Sequence, residues 1–288
     1  MTTPHPVPAG ACDCHTHVFG RPEEYPLSPD RAYTPGPATA EQLLDLQRRL
    51  GLDRVVLVQP STYGTDNACM LDGLRRLGPA RARGVAVIDD ATPDITLREM
   101  DAAGVRGVRL NLHTAGRDDP EAARTLLVKT ARRIAPLGWH VQVYTDLSVI
   151  AALHDDALAL PTDLVVDHFG RAEGRLGPSQ PGFEALLSLV RAGRAYVKLS
   201  AAHRLSDAPD SEDMAPIARA LIAANPARML WATDWPHSGT TGRGASRLEV
   251  SPFDVVDDQR SLARLGEWTD AATFRQILVE NPSRVYGF

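Results

Sequence analysis

Cysteine is scarce in this chain of 288 residues: Cys12, Cys14 and Cys69 are the only three. They form no CxxC, and an odd number argues against a disulfide framework. A reducing, cytoplasmic compartment is therefore expected, with Cys12 and Cys14 as small core residues of a first strand. No run of about 18 apolar residues occurs, so no membrane span is expected. The segment from Met1 to Gly10 is Pro-rich and lacks an apolar stretch, so it does not read as a secretory signal. Positive charge is not in excess either. Lys and Arg number 31 against 36 Asp and Glu, and the net charge of −5 gives no reason to expect nucleic acid or a membrane as partner. A Gly-rich phosphate loop after the first strand is also lacking, which weakens an open doubly wound sheet as the architecture. No linker or shift of composition divides the chain, and residues 1–288 are expected to form one domain.

What the chain does have is a regular alternation. Apolar runs suited to buried parallel strands lie at 11–17, 54–59, 84–88, 105–110, 140–144, 164–168, 195–199 and 229–234. Helical patterns fill the gaps. One begins behind Thr39 as N-cap, shows an apolar face of Leu43, Leu44, Leu46 and Leu50, and ends at Gly51. Others run from Pro120 to Ala135 and from Ala215 to Ala224. Gly78, Gly104, Gly138 and Gly193 stand where helices should stop. The segment 20–38 reads as a long ordered loop. Eight strands, each followed by a helix, predict a (β/α)8 barrel of the α/β class.

Barrel enzymes carry their chemistry at the C-terminal ends of the strands. Here those ends hold His15 and His17, then Ser61, Thr62 and Tyr63, then Arg109, Asn111 and His113. Tyr144 and Asp146, Asp167 and His168, Ser200 and Arg204, and finally Asp234 and His237 complete the set. Residues i and i+2 of a strand share a face, so Asp13, His15 and His17 are expected to project together. Two adjacent imidazoles can share a metal ion or polarise one oxygen without metal. A carboxylate closing an apolar strand, as Asp234 does, is costly to desolvate without a purpose. His5, His140 and His154 lie away from strand ends and read as structural or solvated.

Several stretches together carry a resemblance. They are Asp13-Cys14-His15-Thr16-His17, Gly107-Val108-Arg109-Leu110-Asn111, Gly138-Trp139-His140-Val141, Val166-Asp167-His168-Phe169-Gly170-Arg171, Arg204-Leu205-Ser206 and Trp231-Ala232-Thr233-Asp234-Trp235-Pro236-His237. The chain resembles the amidohydrolase superfamily over nearly its whole length, and within it the branch of pyrone, sugar and muconate lactonases. The resemblance implies water attack on the carbonyl of a small anionic lactone, and the catabolism of aromatic compounds. Many relatives bind one or two divalent metals through the His-x-His, a strand-4 Lys, strand-5 and strand-6 His residues and the strand-8 Asp. This chain has no Lys at the end of strand 4 and Tyr144 where the strand-5 His would stand. The resemblance therefore implies a metal-free site. One Zn²⁺ held by His15, His17, His168 and Asp234 is the alternative. It also implies a second Arg after Arg109, where this chain has Ala115; Arg117 is the nearest substitute.

The resulting expectation has Asp234 as general base and His15, His17 and His168 as donors to the oxyanion. Arg109 and Arg204 grip substrate carboxylates. Tyr144 supplies a further donor, Ser61 and Tyr63 line the pocket, and His237 orients Asp234 or the product. The competing functions are a mononuclear metal hydrolase or non-oxidative decarboxylase on the same scaffold, and a non-catalytic binding protein for small anions.

Overall fold

The structure is a computed structural model that describes residues 3–111, 113, 119–239 and 246–288. The eight apolar runs form strands β1 (Cys12–Thr16), β2 (Arg54–Val58), β3 (Ala82–Ala86), β4 (Val105–Asn111), β5 (His140–Tyr144), β6 (Leu164–Val166), β7 (Ala195–Leu199) and β8 (Met229–Trp231). They are hydrogen-bonded in chain order, each parallel to the next. The two edges are drawn together beyond the last ladder. The Asp234 amide donates to His15 O at 3.0 Å and the His17 amide to Trp235 O at 2.8 Å. The sheet thus curls into the expected (β/α)8 barrel.

The local signals act as their chemistry requires. Thr39 caps the helix Ala40–Leu50 through a reciprocal pair with Gln42, and Gly51 ends it at φ 72°. The helix Ala215–Ala224 has the expected bounds, while the fourth barrel helix spans Pro120–Ile134 and tightens into a short 3₁₀ turn. β3 lies two residues earlier than expected. The Val87 amide is taken by the Asn67 side chain at 3.0 Å, which stops the ladder at Ala86. The loop at 20–38 contains a two-residue strand, Thr34–Pro35, paired with Val250–Ser251, which is too short for any periodicity to reveal. Among the described residues no helix is long and apolar enough to cross a membrane.

One expectation about facing is overturned. The register of β1 on β2 slips by one residue between Asp13 and Thr16, a β-bulge. One extra residue reverses the alternation, so Asp13 does not share a face with the two histidines. Its carboxylate turns outward and accepts from Gln47 of the first helix at 3.1 Å and from the Thr233 hydroxyl at 2.6 Å. Cys12 and Cys14 instead pack with Val56, Val58, Tyr196 and Leu230, and His15 and His17 project beyond them.

Tyr286 is fully buried in that same cluster and closes the floor of the barrel. Above it His140, also buried, lies edge to face at 5.3 Å. Gly107 makes room for that imidazole, because a Cβ there would meet three His140 ring atoms at 2.5–2.9 Å. Gly107→Ala is expected to destabilise the fold by about 1–3 kcal/mol, the usual cost of overpacking. Urea unfolding would check it, and an unchanged midpoint would mean that His140 has space to retreat.

Candidate active site

Four of the expected groups converge at the mouth of the barrel. His15 Nε2 lies 3.3 Å from His17 Nε2, and each is 3.7 Å from Asp234 Oδ1. His168 Nε2 is also 3.7 Å from that oxygen. His168 and Asp234 lie two and three residues beyond short strands and adopt left-handed backbone, at φ 49° and 69°, a conformation rare outside glycine. All four are nearly inaccessible to solvent.

Burial pushes the imidazoles down, to about 3 for His15 and His168 and about 4 for His17, so all three are neutral at pH 7. Burial alone would raise the Asp234 carboxyl. Arg204 and the imidazoles more than reverse this and hold it below the ordinary carboxylate range. Arg204 Nη2 stands 2.8 Å from Asp234 Oδ2. That contact is an ion pair rather than a directed hydrogen bond, since the oxygen has no aligned donor. The same nitrogen donates to Ser238 O at 2.6 Å.

The outer ring nitrogens are all engaged. His17 Nδ1 is 2.7 Å from Val58 O, a carbonyl that can only accept. His17 must therefore carry its proton on Nδ1 and present a lone pair at Nε2. It cannot donate to an oxyanion from that atom, a role expected of it from the sequence. His168 Nδ1 is 2.7 Å from Ser200 Oγ, and His15 Nδ1 is 3.2 Å from Asp167 Oδ1.

Beneath His15 lies a buried polar cluster in which Asp167 and Arg109, named from the strand ends, are joined by two residues that sequence reasoning missed, Gln142 and Lys198. Asp167 Oδ1 is also 3.3 Å from Lys198 Nζ, while its Oδ2 accepts from Gln142 Nε2 at 3.0 Å and faces Arg109 Nε at 3.5 Å. The available signal was a polar residue inside an otherwise apolar strand, Gln142 in β5 and Lys198 in β7. Arg109 also reaches Gln59 O and lies 5.7 Å from the Tyr144 ring centroid.

Above the centre is a recess of about 30 Å³ lined by Tyr33, Ser61, Arg109, Asn111 and Tyr144. Tyr144, His168 and Arg204 also border an outer chamber of about 430 Å³ with Arg171 and His203. Arg171 donates to the Tyr144 hydroxyl at 2.7 Å and pairs with Asp146 at 2.5 Å. Two expected residues lie elsewhere. Tyr63 is packed against Phe19 and accepts from the Gly20 amide, off the pocket. His237 turns its ring toward Asp258 at 3.2 Å, while its amide donates to Asp234 O at 2.9 Å. Ala115 and Arg117 lie outside the described residues.

The spacings of 3.3–3.7 Å among His15, His17 and Asp234 are those of a tetrahedron with ligand bonds of about 2.0–2.2 Å, so these three fit one divalent ion. A second set is His15, Asp167 and His168. Charge opposes a cation, however. Two carboxylates, Asp167 and Asp234, face three cations, Lys198, Arg109 and Arg204, which leaves the centre at +1 with neutral imidazoles.

Residues 12–288 match the family model described as Amidohydrolase. The chain is 37% identical to the 2-pyrone-4,6-dicarboxylate hydrolase of Comamonas testosteroni, covering 97% of this chain and 91% of that one. It is 34% identical to the 4-sulfomuconolactone hydrolase of Hydrogenophaga intermedia, covering 98% and 90%. A solved structure from Pseudomonas putida, described as a candidate 2-pyrone-4,6-dicarboxylic acid hydrolase, superposes with a TM-score of 0.80 at 32% identity and covers 98% of both chains.

Proposed function

The chain belongs to the amidohydrolase family, and from that premise we propose that it is a carboxylic ester hydrolase opening a small anionic lactone without a metal. The observation that carries the reading is the buried Asp234 carboxylate, ringed by three neutral imidazoles at the foot of a pocket with net positive charge. 2-Pyrone-4,6-dicarboxylate or a similar lactone fits such a pocket, since guanidinium forks match carboxylates.

The lactone carbonyl enters the recess, with its carboxylates on Arg109 and Arg204. Asp234 Oδ1 accepts a proton from water as the water oxygen bonds to the carbonyl carbon. Negative charge on the former carbonyl oxygen meets His168 Nε2–H, with Ser200 donating to Nδ1, and the Tyr144 hydroxyl, which Arg171 polarises. The tetrahedral adduct then expels the ring oxygen, which takes the proton from Asp234. A divalent ion, if held by His15, His17 and Asp234, would supply a Lewis acid to the same carbonyl. The reading includes a cytoplasmic location, supported by three cysteines that are all buried and unpaired.

The test is a panel of lactones, with and without a chelator, followed by proton release. Prolonged chelation is expected to leave kcat within about twofold, a change of less than about 0.5 kcal/mol in barrier. Close to one equivalent of zinc or manganese whose removal ends activity would overturn the metal-free reading.

A further inference from the structure

We propose that Lys198 is a positioning residue that holds His15 in the Nε2–H tautomer and, by its charge, disfavours a divalent ion at His15, His17 and Asp234. The inference rests on the metal-free reading above, and its test separates the two. The chain has only two lysines, Lys129 and Lys198, against 29 arginines. Lys129 is exposed on a surface ion pair, whereas the Lys198 side chain is fully buried.

The geometry around His15 fixes where its proton must lie. Lys198 Nζ donates to Gln142 Oε1 at 2.6 Å and stands 3.2 Å from His15 Nδ1 and 3.3 Å from Asp167 Oδ1. His15 Nδ1 thus has a donor and an acceptor at equal range, and its partner across the ring decides between them. That partner is His17 Nε2 at 3.3 Å, already a lone pair because His17 donates from Nδ1 to Val58 O. A proton on His15 Nδ1 would leave two imidazole lone pairs facing each other, with Asp234 Oδ1 3.7 Å from both. A proton on His15 Nε2 turns the same contact into a hydrogen bond to His17. The bare Nδ1 then faces the ammonium of Lys198, which also satisfies Asp167 Oδ1. Without Lys198 that lone pair would face a carboxylate at 3.2 Å, and the tautomer would invert.

A metal-ligating His15 needs the opposite arrangement, with Nε2 bare and Nδ1–H on Asp167. Lys198 therefore opposes metal binding twice, by charge and by tautomer. It supplies from below the positive charge that a metal would supply from above.

The experiment uses the full-length protein, chelated and labelled with ¹⁵N-histidine. His15 signals are assigned by comparison with His15→Gln. Ring ¹⁵N–¹H correlations are expected to show the His15 proton on Nε2 in the wild type and on Nδ1 in Lys198→Met. Zinc affinity, read by competition with a chromogenic chelator, should rise at least tenfold in Lys198→Met. Its kcat should fall with KM little changed, and Lys198→Arg should recover part of kcat. A wild-type His15 protonated on Nδ1 would overturn the proposal, and needs no variant to fold. So would a zinc affinity within twofold of wild type in Lys198→Met. If the chelated wild type is inactive while His15 carries Nε2–H, the metal-free reading fails and the role of Lys198 stands. If the chelated enzyme is active with His15 on Nδ1–H, the reverse holds.

Discussion

Asp234→Asn is expected to lower kcat by a hundredfold or more, about 2.7 kcal/mol of barrier, while anion binding survives. The amide oxygen cannot take a proton from water at neutral pH, and among the described residues no other carboxylate lines the recess to replace it. Asp167 lies below His15, held by His15, Arg109, Lys198 and Gln142, and Asp146 is paired with Arg171. The substitution also removes the counter-charge of Arg204, so a ring-opened dicarboxylate should bind as tightly as before or more so. Stopped-flow proton release gives the rate, and equilibrium dialysis of the product gives the binding. A variant keeping more than a tenth of wild-type kcat would show that the proton goes elsewhere.

The second large effect concerns the two arginines, which the structure makes unequal. Arg109 is braced by Asp167 and Gln59 and lines the recess, with no contact to Asp234 like that of Arg204. Arg109→Met should raise KM at least tenfold for a carboxylated lactone and little for a neutral one, because it removes ground-state binding. Arg204 has a double task, since it also holds Asp234 ionised. Arg204→Met should lower kcat as well as raise KM. It should also move the acid limb of the kcat/KM profile to higher pH. The sign follows from the causes acting on Asp234: burial raises its carboxyl, Arg204 is the largest influence opposing this, and removing Arg204 leaves burial less opposed. Activity that in the wild type persists into acid would then be lost as pH falls. Identical profiles for the two variants would mean that the Arg204 ion pair has no hold on the base.

Much of this arrangement was legible in the order of residues. The eight apolar runs, the Thr39 cap and the helix-ending glycines report local preferences that the barrel leaves intact. Polar side chains at strand ends identified His15, His17, His168, Asp234, Arg109, Tyr144 and Arg204, all of which the structure brings to one mouth. The failures have physical causes. The outward turn of Asp13 depends on a bulge set by pairing with β2, which no period within β1 records. Tyr63 and His237 share their loops with pocket residues but turn away from the recess, and only packing fixes that direction. The tautomer of His17 hangs on the carbonyl of Val58, 41 residues away. Lys198 and Gln142 interrupt apolar strands rather than ending them, so polarity at strand ends does not mark either.

The seam of the barrel bears on how the enzyme comes into being. Asp13 and Thr233 meet across a separation of 220 residues, and His15 is joined to Asp234 by the same closure. A nascent chain still on the ribosome can pair β1 with β2, then β3 and β4, but it holds histidines without their carboxylate until residue 234 has emerged. The floor is sealed later still, by Tyr286. Contacts this distant in sequence are slow to form. Catalytic competence therefore waits for β8, and a chain truncated before residue 234 holds the three imidazoles without their base.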